Sequence, residues 1–316
     1  MTAFADCERV VIGSLDDQHV ARVLRHLPAR STVVVDADSL PDVLVHIDDK
    51  QTVVRDLAGS SVSIGSMGRV RGWIRRLSPS PWDHGVVIGS KRAAELAAQL
   101  ACLSLILRDH KIEWLTPVDT QLSSENKMLQ ARAARAAQIP TPTAIIGGSS
   151  KYLESRLGSQ VVVKPLGPGN YEEAGTQHVV YTQVVATNSL AKLSTLNPAF
   201  LTQKLIHAER HLRIVTVAER TWGAALPADG LPLDWRRSDA AHSSFVPHHL
   251  TASEAHGAQR IAQQLGVRYS AQDWLHTGDG EATFIDLNPG GQWLFLPTEI
   301  AEQITVELAK WLGASE

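Results

Sequence analysis

Residues 271–293, AQDWLHTGDGEATFIDLNPGGQW, set two acids among apolar residues and then end in a proline, two glycines and a tryptophan. The segment TGDG, residues 277–280, is a turn signal, which predicts a β-hairpin over residues 268–288. If these four residues are the loop, Asp273 faces Phe284 and Asp286 is its diagonal neighbour on the next strand. Because side chains alternate along a strand, Asp286 and Asn288 share that face.

The hairpin therefore predicts three oxygen-bearing side chains on one face of a sheet, a donor set that suits Mg²⁺ carrying a nucleotide phosphate. A loop one residue longer or shorter would change the parity and remove the argument. The alternative is that Asp273 and Asp286 are solvated residues on the outer face of an amphipathic hairpin. Unpaired carboxylates beside Trp274 and Phe284 would cost several kcal/mol to bury, which favours a metal site.

The bulk composition is that of an ordinary globular protein. The 316 residues predict two or three domains, with 44% hydrophobic and 20% charged residues. A formal net charge of -3 gives no basic field for nucleic acid or an anionic membrane. Two cysteines without metal-binding spacing indicate a reducing compartment. With no signal-peptide pattern and no apolar run near the ~18 residues of a membrane span, we expect a cytoplasmic protein.

The first ~115 residues alternate strand and helix signals, which predicts a small parallel α/β unit. RVVIGS and STVVVDAD are typical of buried strands, and DDQHVARVLRHL between them is typical of a helix. Four leucines recur at helical spacing over residues 90 to 108, and this pattern predicts that they pack in a core. They are Leu96, Leu100, Leu103 and Leu107.

A second section begins near TPVDTQLSSENKMLQARAARAAQIPTP, where Ser123 or Ser124 is predicted to cap a helix that runs to about Gln138. The segments TAIIG, QVVVKPL and HVVYTQVV predict short strands. Three further strands, the helix TASEAHGAQRIAQQLG, the hairpin and the helix TEIAEQITVELAKWLG follow.

Basic residues lie on several of these strands. Lys164 ends the strand VVVK, and Gly167 and Gly169 follow in a loop whose N–H groups can close over a phosphate. A plain surface loop is the alternative, since neither a Walker sequence nor GxGxxG is present. Arg213 lies in the strand HLRIVTV, where it points to solvent, pairs with an acid or meets a phosphoryl group. Arg236 in LDWR is either part of a substrate clamp or ordinary turn chemistry.

For the histidines and for Trp293, the sequence favours structural positions over functional ones. The histidines of PHHL and HAERH have no partners at recognisable ligand spacing, and we expect them on the surface or in loops. Trp293 follows the two glycines; it either walls an acceptor pocket or, as we expect, packs in the core.

Taken in order, these segments resemble the ATP-grasp superfamily, and more closely the ATP-grasp peptide maturases that make graspetides of the microviridin type. The resemblance covers nearly the whole chain. It is carried by WIRRLSP, ENKMLQARAARAAQIPTPTAIIG, VVVKPLG, VVYTQVV, LTQKLI, HLRIVTV, DWR and the opening segment. The opening segment is the most specific, because such enzymes carry a D…[ED]xNPxGQW arrangement.

The resemblance implies an α/β protein with the ATP-grasp fold in three parts. These are an N-terminal α/β domain over residues 1–115, a central lobe with a glycine-rich flap over 116–205, and a C-terminal lobe with the metal site over 206–316. ATP would bind between the last two.

The resemblance also implies a nucleotide site. Lys127 and Lys164 would contact the ATP phosphates, and Gly167 and Gly169 would form a mobile flap. The adenine hinge, acting mainly through backbone groups, would comprise Gln203, Lys204, Leu205 and Ile206.

For catalysis, the resemblance implies two Mg²⁺ ions bound by Asp273, Asp286 and Asn288. Arg213 would stabilise the γ-phosphate and an acyl phosphate, and Arg236 would lie near the acceptor substrate.

Three positions depart from the family pattern. Asp286 replaces the usual Glu, which brings the metal closer to the strand. Lys204 and His211 stand where acids are common, and Glu209 is expected to compensate for His211.

The activity that the resemblance implies is ATP-dependent ligation of carboxylates to amines or hydroxyls. Asp or Glu side chains of a ribosomally made precursor peptide, held by its leader segment, would be activated as acyl phosphates and closed into ester or amide crosslinks. A homodimer is expected. The alternatives are an ATP-grasp ligase that joins free amino acids or small amines, and a non-catalytic relic that binds peptides.

Overall fold

The structure is a computed structural model that describes residues 4–65, 68–77, 89–166, 170–173, 176–179, 181–192, 200–238, 240–278 and 280–313. Helices and β-sheets are mixed along the chain, which confirms the predicted α/β class. Two compact units are present, Met1–Gln121 with Ala301–Glu316, and Leu122–Ile300. No helix in the described ranges combines the length and the apolar character needed to cross a membrane.

The first unit contains eight strands and three complete helices among its described residues. In chain order they are β1 (Ala5–Cys7), β2 (Arg9–Ile12), α1 (Gln18–Leu24), β3 (Thr32–Val35), α2 (Leu40–Val43), β4 (Leu44–Ile47), β5 (Thr52–Arg55), β6 (Ser61–Ile64), β7 (Val70–Ile74), α3 (Lys91–Leu107) and β8 (Ile112–Trp114).

These strands form two sheets. The order β3-β2-β7-β8 is parallel throughout, as the strand–helix alternation predicts. The second sheet has the order β1-β6-β5-β4 and contains both parallel and antiparallel pairs. An apolar cluster that includes Val10, Val33 and Leu103 lies in the core of this unit.

Helix α3 begins after the capping side chain of Ser90, close to the predicted start. Leu96, Leu103 and Leu107 are buried, but the prediction for Leu100 is wrong, because 40% of its surface is exposed. The buried stripe of α3 also includes Ile106, which moves the centre of the stripe away from Leu100 and leaves it at the edge.

The second unit carries the remaining sheets. After α4 (Val118–Ser124), which spans the boundary between the units, its elements are α5 (Lys127–Ala136), β9 (Ala144–Ile146), α6 (Ser150–Leu157), β10 (Gln160–Pro165), β11 (Asn170–Glu173), β12 (Thr176–Val179), β13 (Gln183–Ala186), β14 (Phe200–Lys204), β15 (Arg210–Val217), β16 (Arg220–Pro227), β17 (Val246–His248), α7 (Ala252–Leu265), β18 (Tyr269–His276), β19 (Ala282–Asn288) and the start of α8 (Thr298–Trp311).

The predicted cap of α5 is wrong. Ser123 and Ser124 end α4, and α5 starts after Asn126, whose side-chain oxygen accepts hydrogen bonds from the N–H groups of Met128 and Leu129. Asparagine caps a helix as strongly as serine does. One helix ends at Ser124 and a second begins after Asn126, where a single helix was predicted. The new start places Lys127 in the first turn of α5.

Two sheets dominate this unit, one of order β13-β10-β14-β9 and one of order β17-β16-β15-β18-β19, both antiparallel. An apolar cluster joins one face of the five-stranded sheet to α5 and α7, and it includes Ile214, Trp274 and Ile261. Since side chains alternate along a strand, Arg213 and Asp273 project from the opposite face.

Helix α8 carries the chain back to the first unit. The predicted C-terminal lobe ran to residue 316, whereas residues 301–316 group with the first unit. Arg9 donates a hydrogen bond to the carbonyl of Gly313, and Arg71 donates one to the carbonyl of Trp311. These contacts hold the C-terminal end of the helix against β2 and β7.

Candidate active site

The β18–β19 hairpin has a different register from the predicted one. His276 pairs with Ala282, so the loop is one residue longer than the four-residue loop predicted. A β-bulge between Asp273 and Trp274 shifts the register again, and Asp273 pairs directly with Asp286. Ile285 is the extra residue of the bulge, and both it and Asp286 line the same cavity. The two acids therefore face each other across the strands, closer than the predicted diagonal.

The sharp end of β19 depends on the NPGG sequence. Asn288 closes the turn, because its side-chain oxygen accepts a hydrogen bond from the N–H of Gly290. A Cβ atom on Gly291 would lie 2.4 Å from the Cβ of Ala271 and 2.9 Å from Nη2 of Arg213. Glycine is thus required at 291, where the backbone passes over β18 and beside the guanidinium. Trp293 is fully buried, which confirms the expectation of core packing.

Two lysines reach Asp286 from elements distant in sequence. Nζ of Lys127 lies 2.8 and 2.9 Å from the two carboxylate oxygens of Asp286. Lys164, at the end of β10, is only 7% exposed, and its Nζ donates to the carbonyl of Ile285 at 3.4 Å. Burial raises the pKa of Asp286, but the charges of Lys127 and Lys164 outweigh this effect and hold the pKa below its ordinary value.

Lys164 itself is electrostatically strained. Burial lowers its pKa, Asp286 opposes that change, and the neighbouring charge of Lys127 adds to it. A buried ammonium that repels a second ammonium favours an additional anion nearby.

Arg213 holds the other acid of the pair. Its Nη1 lies 2.8 Å from Oδ1 of Asp273, and its Nη2 donates to the carbonyl of Gln292 at 3.1 Å. The guanidinium is 7% exposed and lies 5.9 Å from the ring centroid of Phe295. Among the described residues, Nε of Arg213 has no hydrogen-bond partner. A buried guanidinium with an unused N–H is suited to receive an anionic group.

A cavity of about 450 Å³ lies between the two large sheets of this unit. This volume is within the range of small-molecule sites, about 300–1,000 Å³. Its lining combines charged residues, among them Lys164, Asp273 and Asp286, with apolar residues that include Val162, Val184 and Leu233. The cavity thus offers both charged and apolar contacts to a single ligand.

The predicted adenine hinge lines this cavity. Gln203, Lys204, Leu205 and Ile206 are all among its walls. Within the described chain, residues 205–208 leave the β14 ladder and make no backbone–backbone hydrogen bond. Backbone N–H and C=O groups at the cavity wall are therefore available to a ligand with donors and acceptors on one edge.

Arg236 also lines the cavity. The sequence left two roles open for this residue, a substrate clamp or ordinary turn chemistry. Asp234, 6% exposed, accepts two hydrogen bonds from the guanidinium, 2.7 Å from Nε and 2.6 Å from Nη2. Asp234 also accepts a hydrogen bond from the N–H of Thr182. Burial raises the pKa of Asp234, but the hydrogen bonds from Arg236 outweigh it and keep the pKa low. The pair fixes Arg236 at the cavity wall.

Sequence reasoning missed Gln130. This side chain on α5 is 1% exposed, and its amide pairs with the backbone of Leu287: Nε2 donates to the carbonyl at 2.7 Å and Oε1 accepts from the N–H at 3.0 Å. Leu287 lies between Asp286 and Asn288, so Gln130 holds the strand that carries both. The only signal in the sequence was a polar residue on the apolar side of an alanine-rich helix.

Of the other predicted site residues, the structure describes three and leaves two glycines outside the described ranges. Asn288 is exposed, and its Cβ lies near Gly291 and thus on the side of Arg213. Glu209 is not among the described residues that line the cavity, whereas His211 is. Burial lowers the pKa of His211, so its imidazole is neutral at pH 7. Gly167 and Gly169 lie outside the described residues.

Comparison with known proteins places this geometry in a structural class. An ATP-grasp ligase associated with RiPP synthesis in Chryseobacterium gregarium, solved in complex with ADP and a leader and core peptide, superposes with a TM-score of 0.81 at 18% identity, over 96% of each chain. The macrocyclase MdnC from Microcystis aeruginosa MRC, solved with the precursor peptide MdnA, has a TM-score of 0.76 at 20% identity, over 98% of this chain and 100% of its own.

The ATP-grasp ligase PsnB, solved with a phosphomimetic variant of a minimal precursor, Mg and ADP, has a TM-score of 0.70 at 16% identity, over 97% of this chain and 99% of its own. No protein-family model and no curated protein sequence matches this chain. The chain therefore has the fold of these ATP-grasp ligases, which confirms the predicted fold.

Proposed function

We propose that this chain is an ADP-forming ligase that activates carboxylates of a ribosomally made peptide and joins them to hydroxyl or amine groups. The observation that carries the proposal is the direct pairing of Asp273 with Asp286, with Lys127 and Arg213 bound to the two acids and Lys164 beside them. The shared fold with peptide-modifying ligases supports the same conclusion.

The acids have the chemistry of a magnesium site. Mg²⁺ prefers oxygen ligands, usually one or two carboxylates together with water and substrate phosphate. Asp273 and Asp286 supply carboxylates from adjacent strands, and Asn288 supplies an amide oxygen two residues further along. We assign Mg²⁺ to these three residues, with two ions as the expected number. Bound there, Mg²⁺ would neutralise charge on the phosphates.

The bases have the chemistry of a triphosphate site. Each acid of the pair is now neutralised by a basic side chain, at 2.8 Å in both cases. MgATP carries both a cation and anionic phosphates. The metal would bind the two carboxylates, and Lys127 and Arg213 would then form ion pairs with the phosphates. Lys164, buried and close to Lys127, would gain the additional anion that its surroundings favour.

The nucleoside would occupy the part of the cavity that residues 205–208 line. Residues 205–208 present free backbone groups there, which suit the hydrogen-bonding edge of adenine, and Gln203 and Lys204 precede them on β14. Glu209, which is not among the described residues that line the cavity, is assigned to nucleotide binding, where it would compensate for His211. Gly167 and Gly169 are assigned to a flap over the phosphates, on the resemblance alone.

The reaction balances in two steps. A peptide carboxylate oxygen attacks the γ-phosphorus of ATP, and the bond to the β,γ-bridging oxygen breaks, giving an acyl phosphate and ADP. A hydroxyl or amine then attacks the acyl carbon, phosphate leaves, and the nucleophile loses its proton. Lys164 and Arg213 offset charge on the transferring group, and Arg236 orients the acceptor end. For each crosslink, the peptide therefore loses the mass of one water, while ATP becomes ADP and phosphate.

The peptide substrate is proposed because neighbouring structures contain leader and core or precursor peptides. A leader that docks on the enzyme raises the effective concentration of the core near the cavity. The three-part organisation, the homodimer and a cytoplasmic location belong to the same proposal.

The test is to incubate the purified full chain with ATP, Mg²⁺ and the precursor peptide encoded beside it. Mass spectrometry should find peptide lighter by whole multiples of one water, with one ADP formed for each water lost. ADP formation with free amino acids and small amines, but not with the peptide, would favour the small-molecule ligase. Peptide binding without ADP formation would favour the non-catalytic relic.

A further inference from the structure

A second cluster of ligand-type side chains lies away from the cavity. His248 ends β17, Glu254 lies in the first turn of α7, and His276 ends β18. Their ligand atoms all lie within 4.8 Å of one another. Nε2 of His248 is 3.2 Å from one carboxylate oxygen of Glu254, and Nε2 of His276 is 2.5 Å from the other.

This cluster is separate from the proposed ATP site. His276 shares its sheet face with Trp274, which packs in the core against α7, whereas Asp273 and Leu275 line the cavity on the other face. The five-stranded sheet therefore lies between the two sites. The spacing of PHHL did not reveal the partners of His248, which are Glu254 six residues on and His276 at the end of β18.

The donor atoms are held in place before any ion binds. Glu254 forms a capping box with Thr251: its carboxylate accepts from the N–H of Thr251 at 2.7 Å, and its own N–H donates to the Thr251 hydroxyl at 3.2 Å. The two imidazole rings meet at 80° with centroids 5.6 Å apart. Both rings thus present Nε2 to one fixed carboxylate, as outer hydrogen bonds commonly fix ligands at metal sites.

Burial and charge fit an ion as well. The Glu254 side chain is 3% exposed, and those of His248 and His276 are 16% and 19% exposed, which leaves a route from solvent. Glu254 supplies the one carboxylate of the cluster. Arg210, the cross-strand neighbour of His276, is exposed, so water screens its charge.

We propose that His248, Glu254 and His276 bind a transition-metal ion, with Zn²⁺ as the ion that best suits the donor set. Imidazole nitrogen selects Zn²⁺ and similar ions over Mg²⁺ and Ca²⁺. Ligand bonds of about 2.0–2.1 Å in a tetrahedral site place ligand atoms about 3.3 Å apart. The contact with His248 already has that spacing, and His276 would move outward by less than about 1 Å.

The ion would join three elements. Two histidines and one carboxylate leave a fourth position for water or a further ligand. Bound zinc would tie the ends of β17 and β18 to the first turn of α7, and so stabilise the second unit without entering the reaction of the cavity.

Equilibrium dialysis of the full chain against Zn²⁺ in excess Mg²⁺, followed by metal analysis, tests the proposal. About one zinc per chain is expected. Since loss of an outer-shell partner alone weakens metal affinity about 10- to 100-fold, His276→Gln and His248→Gln should each weaken zinc binding at least about 100-fold. His249→Gln and His256→Gln, changes at exposed neighbouring histidines, should bind zinc like the wild type.

Two further readouts need neither ATP nor peptide, so they are independent of the proposed ligase function. Co²⁺ should give the visible absorption of a tetrahedral site in the wild type and lose it in His248→Gln. Zinc at about 100 times its Kd should raise the Tm of the wild type by about 5–10 °C. If circular dichroism shows that His276→Gln does not fold, His248→Gln, on the short edge strand, carries the test. Sub-stoichiometric zinc in the wild type, or equal zinc binding in His248→Gln and His249→Gln, would overturn the proposal.

Discussion

Asp273 and Asp286 face each other across two strands, and like charges in that position repel. The chain offsets the repulsion with two cations from opposite sides, Arg213 from β15 and Lys127 from α5. Despite burial, Lys127 and Lys164 hold the pKa of Asp286 below its ordinary value, and both acids line the cavity. A divalent ion binds the ionised form of a carboxylate.

Asp286→Asn tests the role of this charge. The substitution keeps the size of the side chain but removes the anion that holds Lys127, and it removes a metal ligand. We expect the rate of ATP-dependent water loss from the peptide to fall at least about 100-fold, the scale of losing one preorganised electrostatic group. Because Asp286 and Lys127 are each more than a quarter exposed, water can solvate Lys127, and the Tm should change by less than about 3 °C.

The control for that experiment is Asp229→Asn, an exposed acid in the loop after β16. It should leave both the rate and the Tm unchanged. Peptide dehydration by Asp286→Asn at the wild-type rate would remove Asp286 from the mechanism.

Gly291→Ala tests the close approach at the end of β19. The added methyl group would lie 2.4 Å from the Cβ of Ala271, so the turn must shift, at a cost of about 1–3 kcal/mol in the free energy of unfolding. Ala271→Gly removes that contact but leaves the 2.9 Å approach to Nη2 of Arg213, so the double variant should recover part of the lost stability in urea unfolding. Gly68→Ala, where the nearest atom is 3.8 Å away, should be tolerated. A stable single variant would mean that space is not what requires glycine at 291.

At the scale of whole elements, the β18–β19 hairpin shows how much of the local structure the sequence could predict. The acids, the turn and the strands were all predicted from TGDG and the apolar alternation. The loop is one residue longer than predicted, which alone would have turned Asp286 to the other face, and the bulge at Ile285 reverses that change. The N–H of Phe284 donates to the carbonyl of Pro140, a contact that no local pattern in the hairpin contains.

Gln130 is the other element-scale feature that the sequence did not reveal. Its amide satisfies both backbone groups of Leu287 in the interior. Gln130→Ala leaves the buried N–H and C=O of Leu287 without this partner, at about 1–3 kcal/mol each, so the free energy of unfolding should fall by roughly 2–6 kcal/mol. Peptide dehydration should slow as well, since β19 loses its anchor between two site residues.

Urea denaturation followed by tryptophan fluorescence measures the first effect. Gln263→Ala, a change at an exposed glutamine near the end of α7, is the matched control and should alter stability by less than about 0.5 kcal/mol. Equal stability of the two variants would show that the Leu287 backbone finds other partners.

At the scale of the molecule, the strand and helix signals located the elements but not their grouping. The alternating pattern stops near residue 115, which predicted a boundary there, and the first compact unit runs on to Gln121. The sequence did not predict that residues 301–316 group with the first unit. The pattern of an amphipathic helix identifies its apolar face but not the surface against which that face packs. Arg9 and Arg71, whose side chains meet its last turn, belong to strands that lie over two hundred residues earlier.

Cys7 provides a local reporter of the first unit. Its thiol is 1% exposed within the core of that unit and donates to the carbonyl of Arg9 at 3.4 Å. Burial raises the pKa of the thiol to about 12. Since the thiolate is the reactive form, Cys7 should react with a thiol reagent only when the unit opens. Replacing Cys102 by Ser removes the other thiol and makes the reaction specific.

In that background, Leu308→Ala tests the grouping of α8. Leu308 is fully buried, and its truncation costs about 2–5 kcal/mol, which raises the open population and the rate of Cys7 labelling at least about 30-fold. Ile261→Ala makes a comparable cavity in the second unit and should change that rate less than about threefold, because opening there leaves Cys7 covered. Equal acceleration by both variants would mean that the units unfold together. Acceleration by neither variant would mean that α8 supports the second unit, as the predicted lobe over residues 206–316 implied.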